Sequence, residues 1–289
     1  MAVNIMKQSG TDDALALLRA RVLELAQKAD TRYEITHGVF YNSREAYHAA
    51  AALTSAGYRG RFVLWGGYPN AERRRAFVLP EHMSLKTESD PDIAGLYPGD
   101  LGSSPLPEQY MEAASFAITP LRVDGSGYRT LSHRDFLGAI LALGIKRTVI
   151  GDIIVDSDGA GAVVIADSKI ASFISSELKR IGSDTVKTYI SPLPDGFSGG
   201  RRTERIIAPV SSLRADCVAA ALTKLSRERA KELIMSGVVE LNYETITKPD
   251  IIVEDGDILT IRGHGKFIIG DIDGTTRRGR LRLCADRYI

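Results

Sequence analysis

A chain of 289 residues with 44% hydrophobic and 25% charged residues has the composition of a globular protein with room for two or three domains. Its 37 Lys and Arg stand against 36 Asp and Glu, a formal charge of +1, which excludes a polycation held to nucleic acid by bulk charge and leaves only local clustering for that purpose. Two cysteines, Cys217 and Cys284, have neither metal-ligand nor disulfide-scaffold spacing, and no apolar run reaches the length of a membrane span or a signal peptide, so a reduced, cytoplasmic setting without membrane contact is expected.

In chain order, Leu15, Leu18, Val22, Leu25 and Ala26 recur at helical spacing and predict a helix over 12–29, with Thr11 as its cap. A second helix is expected from Ser43 to Ala56, capped by Asn42 or Ser43 and ended by Gly57. Arg61 to Trp65 and Ala76 to Leu79 read as strands, separated by a Gly-rich turn and the run Arg73-Arg74-Arg75. Pro80 to Gln109 reads as an exposed connection rich in Pro, Gly, Ser and Asp. Six elements follow: a strand at Ala113–Thr119, a helix at Ser132–Leu143, strands at Val149–Val155 and Gly161–Ala166 around an Asp158-Gly159 turn, a helix at Ser168–Ile181 and a strand at Thr185–Ile190. The order β-α-β-β-α-β is that of a ferredoxin-like fold, shared with the common RNA-recognition sheet. The two central strands carry no aromatic residue, so base stacking on the sheet face is not expected. Ser191 to Arg202 reads as a Pro/Gly-rich linker.

The last ninety or so residues hold the strongest functional signal. Leu213-Arg214-Ala215-Asp216 leads into a helix over Cys217–Leu222, and a second helix runs from Ser226 to Met235, with Ser226 as its cap and Gly237 closing it. A capped helix N-terminus offers backbone amides and partial positive charge to a phosphate. Arg227 and Lys231, four residues apart, fall on one face of that helix, and Arg214 can point to the same side. Strands at Val238–Leu241 and Ile258–Arg262 follow, with an Asn242-Tyr243 turn between them and then Gly263-His264-Gly265-Lys266. Near the end stand Arg277, Arg278, Arg280, Arg282 and Arg287 with one acid, Asp286. Taken alone that run is a solvated face; with the helix and the Gly-x-Gly loop it predicts a basic patch, common to Arg214, Arg227, Lys231 and Lys266, that takes an RNA backbone.

This terminal segment resembles the S4 RNA-binding domain, and nearly the whole chain resembles the bacterial YlmH family of ribosome-associated S4-domain proteins. Three stretches carry the resemblance: Gly66-Gly67-Tyr68-Pro69-Asn70-Ala71-Glu72-Arg73; Leu131-Ser132-His133-Arg134-Asp135-Phe136-Leu137-Gly138 with Leu143-Gly144-Ile145-Lys146-Arg147 and Ile150-Gly151-Asp152-Ile153; and the S4 signature itself. The resemblance implies an α+β chain with an N-terminal α/β domain (1–80), a connection (81–109), a ferredoxin-like RNA-binding domain (110–190), a linker (191–204) and an S4 domain (205–289). It also implies non-catalytic binding of structured RNA, rRNA and tRNA on the large ribosomal subunit, in translation or ribosome-associated quality control, with a link to cell division. A monomer without cofactor or metal is expected. Carried over by position, Arg214, Ser226, Arg227, Lys231, Asn242, Arg262 and Lys266 are the S4 contacts, joined by Arg277 and Arg278 from the basic run. The family often has Arg-Leu-Asp where this chain has Arg214-Ala215-Asp216, so looser local packing is expected there.

Two other classes compete: an RNA-modifying enzyme with its active site in the N-terminal part, and an adaptor whose upstream domains bind protein. No phosphate-cradling or dinucleotide fingerprint is present. Ser132, His133 and Asp135 are the best catalytic-looking cluster, but a Ser-His-Asp triad needs separate elements, and a helix cap explains the spacing. Asp216, near a helix start, is expected to cap or to pair with a neighbouring Arg. Secondary contacts to RNA or protein are expected at Arg73, Arg74, His133, Arg134, Lys146 and Arg147.

Overall fold

A computed structural model of the chain describes residues 2–69, 71–83, 108–199 and 203–288. Most of the connection expected over 81–109 lies outside the described residues. The chain is a mixed α/β protein that divides into two compact units, one holding the described residues up to 199 and the other those from 203 onward.

The first unit opens with α1 (Ala2–Arg32), β1 (Thr36–His37), α2 (Ser43–Ser55), β2 (Phe62–Trp65) and β3 (Arg75–Val78). Val22, Ala26 and Ala29 bury one stripe of α1 and Ala46, Ala49, Ala50 and Leu53 one stripe of α2, so the two helices meet through small side chains. Asn42 caps α2 in a reciprocal capping box with Glu45. The three strands form an antiparallel sheet in the order β1-β3-β2. β1 was not legible in the sequence.

The unit continues with α3 (Glu108–Ala117), β4 (Ile118–Asp124), α4 (His133–Ala142), β5 (Ile150–Val155), β6 (Gly161–Asp167), α5 (Ser168–Glu177), the short β7 (Arg180–Ile181) and β8 (Asp184–Thr185), and β9 (Lys187–Ile190). The strand expected at Ala113–Thr119 is therefore a correction: those residues are helical through Ala117 and the strand starts at Ile118. Alanine at 113, 114 and 117 favours helix, and the alternating apolar pattern begins only afterwards. The antiparallel sheet has the order β5-β6-β4-β9, and Leu121, Val123, Ile150, Ile153, Ala162 and Val164 pack with Phe136 and Ile140 of α4 and Ile174 of α5. The helix expected to Ile181 ends at Glu177, where a β7–β8 hairpin begins.

The opposite face of this sheet is partly covered. Ile165, fully buried, lies under Gly67, where a side chain would meet its methyl group at 3.3 Å, and beside Gly151, whose missing side chain leaves room for Phe40. Tyr68 donates its hydroxyl to Asp152 at 2.7 Å.

The second unit comprises β10 (Thr203–Val210), α6 (Ala215–Thr223), α7 (Arg227–Met235), β11 (Val239–Leu241), β12 (Glu244–Thr245), β13 (Ile258–Ile261), β14 (Gly265–Thr275) and β15 (Leu281–Tyr288). Its sheet runs β10-β15-β14-β13-β11-β12, antiparallel throughout. Val218, Leu222, Ala230 and Ile234 of the helices close one core with Ala208, Leu259, Ile261, Phe267, Ile269 and Leu283 of the sheet. Ala215, where looser packing was expected, is fully buried in that core. Cys217 and Cys284 are buried and unpaired.

Candidate nucleic-acid interface

At the start of α6 the chain makes a paired-arginine fork. Asp216 is fully buried, yet its carboxylate accepts from Arg214 Nε at 3.1 Å and Nη2 at 3.3 Å, and from Arg227 Nε at 3.1 Å. The local sequence dictates this. Arg214 is the N-cap of α6, with its neighbours held to a second strand of chain by Ala215 N to Ile251 O at 2.8 Å and Val253 N to Leu213 O at 2.8 Å. Lys224 turns the chain through the left-handed region, and Ser226 starts α7 by accepting from Arg229 N at 3.2 Å, so Arg227 falls in the first turn. Two guanidiniums thus converge on one carboxylate from two helix N-termini.

Burial would raise the Asp216 pKa; the hydrogen bonds from Arg214 and Arg227 outweigh it and hold it below the ordinary carboxylate value. The pair in turn raises Arg214, which stays cationic at any physiological pH. Among the described residues Nη1 of Arg214 and both terminal nitrogens of Arg227 have no acceptor, so the fork presents fixed donors outward beside the first-turn amides of α7. The two guanidiniums outnumber the carboxylate that fixes them, while Asp250 adds a second negative charge within electrostatic reach of Arg214.

The rest of the expected patch divides. Lys231 follows Arg227 by one turn, but its ammonium lies 3.2 Å from Glu228, and Arg229 pairs with Glu232 at 2.6 Å. Lys266 pairs in register with Thr260, one step out of phase with the core residues Leu259 and Phe267, so it lies on the sheet face away from the helices. There its ammonium sits over the Tyr243 and Tyr288 rings at 4.8 and 5.2 Å. A single patch holding Arg214, Arg227, Lys231 and Lys266 is therefore a correction, because strand alternation separates the last of them. Asn242 sits in the left-handed region, donates to Asp257 at 2.7 Å and accepts from Ile258 N at 2.9 Å, so its side chain shapes the turn. Arg262 is exposed at the β13–β14 turn, and Arg277 and Arg278 are exposed at the tip of the β14–β15 hairpin.

In the first unit the arginine run is neither a solvated loop nor a free contact surface. Arg73 donates through Nε to Ile150 O at 2.9 Å and through Nη2 to Phe40 O at 2.9 Å and Arg147 O at 3.2 Å. Arg74 donates to Ala71 O at 2.5 Å. Arg75, 3% exposed, engages all three guanidinium nitrogens, on Gly38 O, Ala117 O and the Asp167 carboxylate. Arg147 donates to the carbonyls of Ile150 and Gly151, and burial together with the Arg73 charge pushes its pKa down to about 10. These side chains tie the N-terminal segment to the middle sheet. By contrast His133, Arg134 and Lys146 are exposed. Ser132 belongs to the helix cap: its hydroxyl and amide donate to Asp135 at 2.7 and 2.8 Å. Among the described residues no group of three or more His, Cys, Asp or Glu gathers as metal ligands, and no helix is long and apolar enough to cross a membrane.

Comparison with known proteins adds a family. Residues 19–83 match a family model described as "YlmH, N-terminal", and residues 112–194 match one described as "Putative RNA-binding domain in YlmH". A curated protein of Bacillus subtilis (strain 168), "Ribosome-associated protein quality control protein P2", is 28% identical over 267 residues, 92% of this chain and 93% of its own. A solved structure, "Cell division protein ylmH from Streptococcus pneumoniae", has 19% identity and a TM-score of 0.42, covering 61% of this chain and 90% of that one. With two YlmH models matched in order along its first two-thirds, and a relative aligned over almost its entire length, the chain belongs to the YlmH family.

Proposed function

We propose that this chain binds structured RNA without catalysing a reaction, with rRNA on the large ribosomal subunit as its target and ribosome-associated quality control as its setting. The Arg214–Asp216–Arg227 fork carries the reading: two guanidiniums fixed by one buried carboxylate at the starts of two helices is an arrangement for gripping a phosphate. The relative's printed name, which places that protein on ribosomes in quality control, and the RNA-binding description of the model matching residues 112–194 support the setting. In the same reading residues 205–289 are an S4 domain, residues 110–190 a ferredoxin-like domain and residues 1–80 an N-terminal α/β domain. Arg214, Ser226 and Arg227 form the primary contact, with Arg277 and Arg278 reaching flanking backbone. Lys266 and Arg262 belong to a separate surface. tRNA on the same subunit is a neighbouring target.

The test is co-sedimentation of the full chain with purified large subunits across a salt series. Arg214→Glu and Arg227→Glu should each abolish or strongly weaken association, and neutral Arg→Gln versions should each lower the slope of log K against log salt by about one. Lys266→Glu should leave association intact. Unchanged association of both fork variants would reject the reading.

A further inference from the structure

The loop between β4 and α4 holds an aromatic ring out in water on a firmly anchored base. Tyr128 is 97% exposed. On one side of it Gly125 N donates to Ala160 O at 2.7 Å, and Ser126 gives its amide, at 3.2 Å, and its hydroxyl to the buried Asp184. On the other side Leu131, 1% exposed, donates its amide to Gly159 O at 2.8 Å, and Ser132 enters the α4 cap. Between these anchors Gly127, at φ +81°, turns the chain so that Tyr128, Arg129 and Thr130 all face solvent. The anchors hold the ring against no other side chain.

Basic residues flank the ring in sequence. Residues 125–134 contain Arg129, His133 and Arg134 and no acid. Arg180 stands exposed on β7, the strand against which α4 packs. Asp135, Asp158 and Asp184 accept hydrogen bonds from Ser132, the Ala160 amide and Ser126, which fix these carboxylates in the cap and the loop base without cancelling their charge. Leu131, the loop's aliphatic residue, is buried, so the ring of Tyr128 is the loop's exposed hydrophobic surface. One exposed ring flanked by arginines on a polar loop fits a base and its phosphates.

We propose that Tyr128 is a stacking platform for an unpaired base of the bound RNA, with Arg129 and Arg134 on the adjoining phosphates. The site lies at the loop edge of the middle sheet, away from the face covered by Gly67 and Phe40. The inference rests on RNA binding as the function of the chain, and it adds that the middle segment selects unpaired nucleotides.

Two fluorescently labelled probes test it with the full chain: a uridine-rich single strand containing 4-thiouridine and a blunt RNA duplex of the same length. Tyr128→Ala should weaken the single strand about five- to 150-fold and leave the duplex unchanged, since a base–aromatic stack is worth that much. Tyr128→Trp should restore it, and photocrosslinks should map to residue 128. Thermal melting shows that the variants remain folded. Single-strand affinity unchanged in Tyr128→Ala, equal losses on both probes, or crosslinks mapping elsewhere would overturn the proposal. If Arg227→Glu loses both probes while Tyr128→Ala loses neither, the fork stands and the platform falls; the reverse pattern rejects the fork and keeps the platform.

Discussion

Asp216→Asn separates two accounts of the fork. If the carboxylate only neutralised charge, removing it would add one positive charge and tighten RNA binding. If it positions the arginines, the amide puts a donor against a guanidinium, frees both side chains and weakens binding despite the added charge. Arg214 Nε and Nη2 and Arg227 Nε all bond Asp216, so three charge-assisted hydrogen bonds are disturbed. Breaking a fully buried ion pair from one side costs about 3–5 kcal/mol. Here the two arginine side chains keep 36% and 49% of their surface in water, so both can turn outward and the cost falls to about 1–3 kcal/mol of folding stability. Loss of fixed geometry should weaken RNA binding by a similar amount, about five- to 150-fold. Urea unfolding gives the first quantity, and anisotropy titration against a ribosomal RNA fragment at several salt concentrations gives the second. Tighter binding by Asp216→Asn at every salt concentration would refute positioning.

Arg75→Ala should leave Asp167 buried without its partner and destabilise the first unit by about 3–5 kcal/mol in chemical unfolding, with RNA affinity of the folded fraction unchanged. Arg73→Lys keeps the charge but cannot reach Ile150 O, Phe40 O and Arg147 O together, and should cost about 1–3 kcal/mol in the same assay. On acid titration the unfolded Asp216 takes its proton first, near the ordinary value of about 4, because the folded carboxylate is held lower. The fork's contribution is therefore complete above that pH and disappears as pH falls through the lower folded value; a contribution that instead declined between pH 7 and 5 would contradict the depressed pKa.

The starts of α2, α4 and α7 were legible because their signals are local. Asn42 with Glu45, Ser132 with Asp135, and Ser226 all cap the helices that the spacing announced. Asp216 pairing with a neighbouring arginine was also readable, two residues away from Arg214; the second partner, Arg227, needed the α6–α7 turn to bring it close. β10 was missed because Thr203–Val210 follows the Gly-rich linker and carries Pro209, so the residues between the linker and Leu213 were assigned no element. Its pairing with β15 runs register for register from Thr203 to Val210, a long-range fact with no local trace. The acids that engage Lys231 and Arg229 stand three residues away, in plain view; only the cations had been counted.

What separates the arginines proposed to grip RNA from the structural ones is the kind of acceptor each meets. Arg75 meets two backbone carbonyls and a carboxylate, one for each guanidinium nitrogen, and its burial keeps the remaining donors from any ligand. Arg73 meets the carbonyls of Phe40, Arg147 and Ile150, and swinging out would forfeit all three hydrogen bonds. A shared carboxylate does something different. Two oxygens cannot saturate two guanidiniums of five N–H donors each, so Asp216 immobilises Arg214 and Arg227 while leaving part of each fork open. Runs of basic residues therefore mislead in this chain: the densest, at 73–75, is structural cement, while the pair proposed to hold RNA is separated by thirteen positions, Arg214 to Arg227, and joined through an acid.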